Sequence, residues 1–244
     1  MTNKKSVIMK KIKFNLQSKG GVGKSMLTYL LALKNEANEQ SYFIDLDSSV
    51  KSSTQQLKFL QGKTPPRFAT MNLLDTRNKI DRQLLFDNLL LLSQKNYQEY
   101  YLDFGAPESS EFPSLFSSDY TVEEFKQIEQ ELNAQFIFNI IIAGGSSYEA
   151  CTTYLQTIVA LVKGIFEINI YVNEATFVNK EKIKEIKQYA ELNRKSIHSV
   201  KLFGDFDNTT SPHKNILKKI EEGKGLEAYA FVERIKILKE LSKI

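Results

Sequence analysis

Ser18-Lys19-Gly20-Gly21-Val22-Gly23-Lys24-Ser25 is a glycine-rich stretch that ends in a lysine and a hydroxyl. Before it, Ile12-Lys13-Phe14-Asn15-Leu16 alternates apolar and polar residues, as a strand does. After it, the residues from Lys24 to about Asn38 carry helical spacing. Glycines at a strand–helix junction let the backbone take positive φ and turn successive N–H groups onto one anion, aided by the positive end of the helix. In such a loop Gly20, Gly21, Val22, Gly23 and the adjoining Met26 surround a nucleotide's phosphates. Lys24 supplies a point charge to the β- and γ-phosphates, and the Ser25 hydroxyl reaches Mg²⁺. One departure stands out. The general pattern has glycine six positions before the lysine; here Ser18 occupies that place, and Lys19 beside it adds a second cation.

Outward from the loop, short apolar runs alternate with helical patterns. Strands are expected at Tyr42–Ile44, Phe68–Leu74, Tyr100–Leu102, Phe136–Ile142, Ile165–Val172 and Val200–Phe203. Helices are expected over Asp81–Leu92, Ser147–Leu161, Asn179–Glu191 and Leu226–Lys243. Ser48–Pro66 and Pro107–Asp119 read as mobile excursions. This order implies an α/β, three-layer P-loop NTPase fold: a mostly parallel central sheet with helices on both faces. Ligands of such sheets sit at the carboxyl ends of the strands. Asp45, Asp47, Asp103, Gly105, Gly144 and Asn173 all fall there. Asp103-Phe104-Gly105 after a strand suits a carboxylate that holds hydrated Mg²⁺ and a glycine whose N–H meets the γ-phosphate.

The run Lys19–Ser25 resembles the deviant Walker A motif of the ParA/MinD superfamily. The resemblance implies an ATP-dependent homodimer in which Lys19 reaches the partner's nucleotide, a second cation at the charge that develops in hydrolysis. It implies further that Asp47 handles the attacking water, that Asp45 supports Mg²⁺ through water, and that Asn173 contacts the adenine edge. Ser48 follows Asp47 where a proline is common in that superfamily. Asn15-Leu16-Gln17, Asp103-Phe104-Gly105-Ala106, Ile142-Ala143-Gly144-Gly145 and Val172-Asn173-Glu174 resemble, in order, segments of the TraL/StbB-like proteins of conjugative plasmids. That likeness spans about Ile12 to Phe177. It implies a slow ATPase serving plasmid partition or stability, conjugative transfer or placement of DNA, with a protein partner that stimulates hydrolysis. Non-specific DNA contact is compatible with it. The alternative is a metabolic enzyme of the same fold that phosphorylates a small substrate.

Composition sets the outer limits. The 244 residues, 42% hydrophobic and 25% charged, suit a single globular domain over 1–244, with 1–10 expected as a flexible extension. A net charge of +4 permits an acidic partner without requiring one. Cys151 is the single cysteine, so no internal disulfide and no paired-cysteine metal bridge can form. No signal peptide or membrane-length apolar run is seen, and a cytoplasmic location is expected. Phe231, Ile235, Leu238 and Leu241 lie at helical spacing, which reads as a helix packed on the core rather than on a membrane. Lys180, Lys184 and Lys187, and separately Lys214, Lys218, Lys219 and Lys224, form two basic patches, read mainly as solvated surface.

Overall fold

The computed structural model describes residues 9–47, 52–77, 79–116, 120–206 and 209–244. Seven strands form one sheet in the order β3-β2-β4-β1-β5-β6-β7, every neighbouring pair parallel. They are β1 (Lys10–Leu16), β2 (Ser41–Asp45), β3 (Phe68–Thr70), β4 (Glu99–Asp103), β5 (Ala134–Ile142), β6 (Glu167–Asn173) and β7 (Ile197–Phe203). The helices are α1 (Lys24–Lys34), α2 (Ser52–Gln56), α3 (Arg82–Gln94), α4 (Ala106–Glu111), α5 (Val122–Glu131), α6 (Tyr148–Val162), α7 (Glu181–Leu192), α8 (Ser211–Glu221) and α9 (Phe231–Leu241). The α/β, three-layer P-loop NTPase fold expected from the sequence is the fold found. The expected extension over 1–10 falls outside the described residues up to 8, and Lys10 already belongs to β1.

The two faces of the sheet differ in chemistry. Ile12, Phe14 and Leu16 of β1 point one way and are fully buried. On that side Phe14 packs on Phe104, Phe112, Phe136 and Phe138, and Phe125 of α5 joins Phe86 of α3 to the same cluster. Such ring pairs add to area burial because quadrupoles favour the tilted and edge-on geometries seen here. Right-handed crossovers place α6 and α7 on the same side. The opposite face carries a polar row in register: Asp45, Asp103, Asn15, Asn139, Asn169 and Ser199 on β2, β4, β1, β5, β6 and β7. Helix α1 lies over this row, with Thr28 bonded to Asn15 at 2.9 Å, and α2 and α9 pack beside α1.

Several expectations are corrected. Ser48–Pro66, read as mobile, contains α2 and a 3₁₀ turn over Lys58–Leu60, with Leu57 and Leu60 in the core; residues 48–51 lie outside the described ones. Pro107–Asp119, also read as mobile, supplies most of α4 and buries Phe112 and Leu115; residues 117–119 lie outside the description. The helix expected to run to Asn38 stops at Lys34, because the Asn35 side chain bonds Leu31 O at 2.9 Å and draws the chain out of the helix. Strand β3 ends at Thr70 rather than Leu74, where Asn72 Oδ1 accepts from Leu74 N and turns the chain.

The expected helix over Leu226–Lys243 breaks at Tyr229–Ala230, since the Tyr229 hydroxyl is tied to that of Tyr29 at 2.6 Å. Its apolar stripe is also reversed. Phe231, Ile235 and Leu238 are 79%, 54% and 46% exposed, and of the four only Leu241 is buried. Ile237, Glu233 and Glu240 face inward instead. Glu233 pairs with Lys219 and Glu240 with Lys243, so two carboxylates occupy the packed side at low cost.

Candidate nucleotide site

Strand β1 ends at Leu16, and the loop Gln17–Gly23 carries the chain into α1. Gln17 is buried, and its side chain organises the turn. Its Nε2 donates to Ile141 O at 2.7 Å, tying the loop to β5, and its Oε1 accepts from Lys19 N. Gly21 and Gly23 have φ of 74° and 102°, the left-handed region where a side chain is strained. At Gly23 space is short as well: an added Cβ would stand 2.6 Å from Asn173 Nδ2.

Lys24 is buried inside this loop. Its ammonium donates to Gln17 O at 2.9 Å and to Lys19 O at 3.4 Å. Burial lowers its pKa, opposed by the negative charges of Asp103 and Asp47. Lys19 is exposed on the outer side of the same loop, and Ser25 opens α1 half-buried. The phosphate loop expected from the sequence therefore has both lysines on it, one turned in and one turned out.

The acidic residues converge from β2 and β4. Asp45 Oδ2 accepts from Thr54 N at 2.7 Å and Thr54 Oγ1 at 2.6 Å, and its Oδ1 accepts from Asp47 N at 3.0 Å. Asp45 thus fixes α2 and the backbone of Asp47. Asp103 is 1% exposed, and its Oδ2 accepts from Ser53 Oγ. Its Oδ1 is buried without a partner among the described residues. Burial pushes the Asp103 pKa up to about 7, against the opposing pull of the Ser53 hydroxyl and of Lys24. Gly105 follows, buried, at the start of α4. A Cβ there would collide with Glu108 Oε2 and would sit 2.9 Å from Asp47 Oδ1. Lys24, Asp47, Asp103, Gly105 and Glu108 are therefore one cluster.

Asn173 closes β6 against the loop: its Nδ2 donates to Val22 O at 3.0 Å, and its Oδ1 is buried without a partner among the described residues. Met26 and Phe203 lie beside it, Met26 Sδ against Gly204 and Phe203 against Gly23. Cys151 is fully buried, as expected of a small core residue, and burial raises its pKa. Four contributors escaped the reading of the sequence: Gln17, Ser53, Thr54 and Glu108. The only local hint was Glu108, an acid three residues beyond Gly105.

The donors gathered here are hard oxygens, the set that suits Mg²⁺. Among the described residues no group of three His, Cys, Asp or Glu could hold a metal alone. A magnesium ion would rest on the Ser25 hydroxyl, on phosphate and on waters accepted by Asp103 Oδ1, whose unpaired, buried lone pairs fit that task. The two basic patches carry their own counter-charges, with Lys184 on Glu181, Lys180 near Glu174, and Lys218 and Lys224 near Glu222. No helix among the described residues is long and apolar enough to cross a membrane.

Loop, sheet order and acidic strand ends are those of a P-loop NTPase fold, the fold of MinD. Two solved structures of the MinD cell division protein of Aquifex aeolicus match nearly the whole chain. MinD in the MinC:MinD complex aligns with TM-score 0.54 and 12% identity over 96% of this chain and 94% of that one. MinD by itself gives 0.53 and 12%, over 96% and 95%. A plasmid partition protein from Borrelia burgdorferi aligns with TM-score 0.48 and 15% identity, over 87% and 96%. No family model and no curated protein sequence matches the chain. At these identities the likeness is one of fold.

Proposed function

We propose that this chain binds and slowly hydrolyses ATP and uses the nucleotide as a dimerisation switch. The observation that carries this reading is the cluster at Gly105: a buried P-loop lysine, two strand-end carboxylates and a glycine meet at one point. Gly20, Gly21, Val22 and Gly23 bind the phosphates with Lys24, and Met26 and Asn173 border the base. The unpaired Asn173 Oδ1 suits the amino group of adenine, a donor that guanine lacks at that edge. Ser25, and through water Asp45 and Asp103, would hold Mg²⁺, which would supply positive charge to offset that of the phosphates.

Hydrolysis then needs a water in line with the γ-phosphorus, positioned by Asp47. The β–γ bridging bond breaks, the water oxygen joins the phosphoryl group, and ADP leaves with the bridging oxygen. Lys19, exposed on the loop, acts on a partner's nucleotide in a homodimer, which makes turnover depend on dimerisation. The cellular role that fits is plasmid partition or stability, conjugative transfer, or positioning of DNA in the cytoplasm, as in TraL/StbB-like proteins, with a protein partner that stimulates hydrolysis. Carboxylates pair most of the lysines in the two basic patches, which leaves little free positive charge for direct DNA contact.

Light scattering coupled to size exclusion tests it, with ADP, with ATP·Mg²⁺, and with Asp47→Ala in ATP·Mg²⁺. A monomer that doubles its mass only with ATP, most fully in the variant, is the expected result. An unchanged mass in all three removes the switch. Turnover driven by a small carboxylic acid would then favour the metabolic enzyme.

A further inference from the structure

Glu108 is fully buried, yet it belongs to neither of the acidic strand ends. It stands in the first turn of α4, and its Oε2 lies against Gly105 on the side where Asp47 Oδ1 also arrives. Lys24 feels its charge together with those of Asp103 and Asp47. Three carboxylates therefore face one ammonium in a largely water-free corner. Asp103 Oδ1 is buried without a hydrogen-bond partner among the described residues and can accept from a metal-bound water. The helix that carries Glu108 is firmly held. Ser109 Oγ accepts from Gln17 N at 3.2 Å, Ser109 O accepts from Tyr154 Oη at 2.8 Å, and Phe112 is locked among Phe14, Phe104 and Phe138.

We infer that Glu108 is a specificity-determining residue that sets the preference of this site between nucleoside triphosphate and diphosphate. The inference rests on the proposal that the loop binds a nucleotide. A β-phosphate sits within the loop and is served by Lys24 and the loop amides. A γ-phosphate extends beyond it toward Gly105, where it meets the Glu108 carboxylate. Two like charges in contact at a partly dry site shift binding by about tenfold or more. The penalty falls on the triphosphate and spares the diphosphate, so the wild-type chain binds the two with similar affinity. ATP then gains its hold only when something else relieves the contact, such as Lys19 of a second copy or a shift of α4.

Calorimetric titration with ADP and with the β,γ-imido analogue of ATP, both with Mg²⁺, tests this on the full chain. Glu108→Gln keeps the shape and removes the charge. It is expected to tighten the imido analogue about tenfold and to change ADP less than about twofold. Glu108→Asp keeps the charge and should leave the ratio of the two affinities near wild type. Equal gains for both ligands in Glu108→Gln, or equal ratios in Gln and Asp variants, would overturn the assignment. If Glu108→Gln melts early, the wild-type ratio decides: an imido analogue bound over a hundredfold tighter than ADP rules the penalty out. A wild-type chain that binds neither nucleotide would bring down the nucleotide reading itself, a result distinct from the others.

Discussion

Asn139 Nδ2 donates to Asn15 Oδ1 at 2.9 Å, from the middle of β5 to the neighbouring β1. Both residues are buried, in the middle of the polar row that crosses the sheet. Asn15 passes the contact on to Thr28 of α1, and the Thr28 hydroxyl in turn steadies the Asp103 carboxylate. The polar row thus braces the strand end that faces the phosphates. Asn139→Leu leaves Asn15 Oδ1 buried without its donor and should cost about 1–3 kcal/mol in urea unfolding. Replacing both by leucine should cost less than the sum of the single changes. Strict additivity would show that the bond contributes nothing.

Lys24→Ala should abolish nucleotide binding in a fluorescent-analogue titration while the melting temperature holds or rises. The lysine is buried at a desolvation cost, so its removal relieves the fold even as it ends the function. Binding that survives within threefold would move the phosphate site elsewhere.

Gly23→Ala places a Cβ at φ 102° and against Asn173 Nδ2. Backbone strain of about 1–3 kcal/mol and loss of the Asn173–Val22 contact should lower both stability and nucleotide affinity. Gly20→Ala meets nothing within 4 Å and should leave the melting temperature unchanged. Thermal melts of the two variants side by side check the contrast.

The raised pKa of Asp103 has a definite sign in stability. Its folded value of about 7 lies above the ordinary 3.8, so the native state holds a proton that the unfolded chain gives up. Stability from this group is complete below about 3.8, declines as pH rises toward 7, and levels off above it. The slope of melting temperature against pH across that window should be shallower in Asp103→Asn than in wild type. Equal slopes would mean that Asp103 ionises normally.

Orientation of α9 can be checked by pairs of substitutions. Ile237→Ala should cost about 2–5 kcal/mol because the side chain is fully enclosed. Phe231→Ser and Leu238→Ser, on the exposed side, should stay within about 0.5 kcal/mol in the same denaturation assay.

Much of the frame was legible because its signals are local. The loop Ser18–Ser25 carries its reading in eight consecutive residues, and Asp45 and Asp103 mark strand ends by position alone. Two helices were missed although local signals existed. Thr121 and Glu124 form a reciprocal cap that starts α5, and Ser211-Pro212 begins α8 with a proline suited to a first turn. Other features could not be read along the chain. Asn139 is visible as an interruption in an apolar run, but its partner lies 124 residues away. Ser53, Thr54 and Glu108 acquire their roles from what the sheet brings next to them. The stripe on α9 was visible, but its direction depended on ion pairs of Glu233 and Glu240 with lysines outside the pattern.

The position of β1 has a consequence for how this chain is made. Of the seven strands described, the one made first is the central one, and its neighbours come late: Lys11 lies opposite Glu99, and Lys10 opposite Ala134. At about 5–20 residues per second, translation leaves Ile12, Phe14 and Leu16 waiting on the order of ten seconds for their flanking strands. Such distant pairings also fold slowly once available, since loop closure precedes any reward. The nascent chain is therefore a sticky, half-built sheet for about half of its synthesis, from Lys10 to its partner Ala134 in a chain of 244 residues, and its yield in a cell should respond to chaperone supply and to the speed of translation.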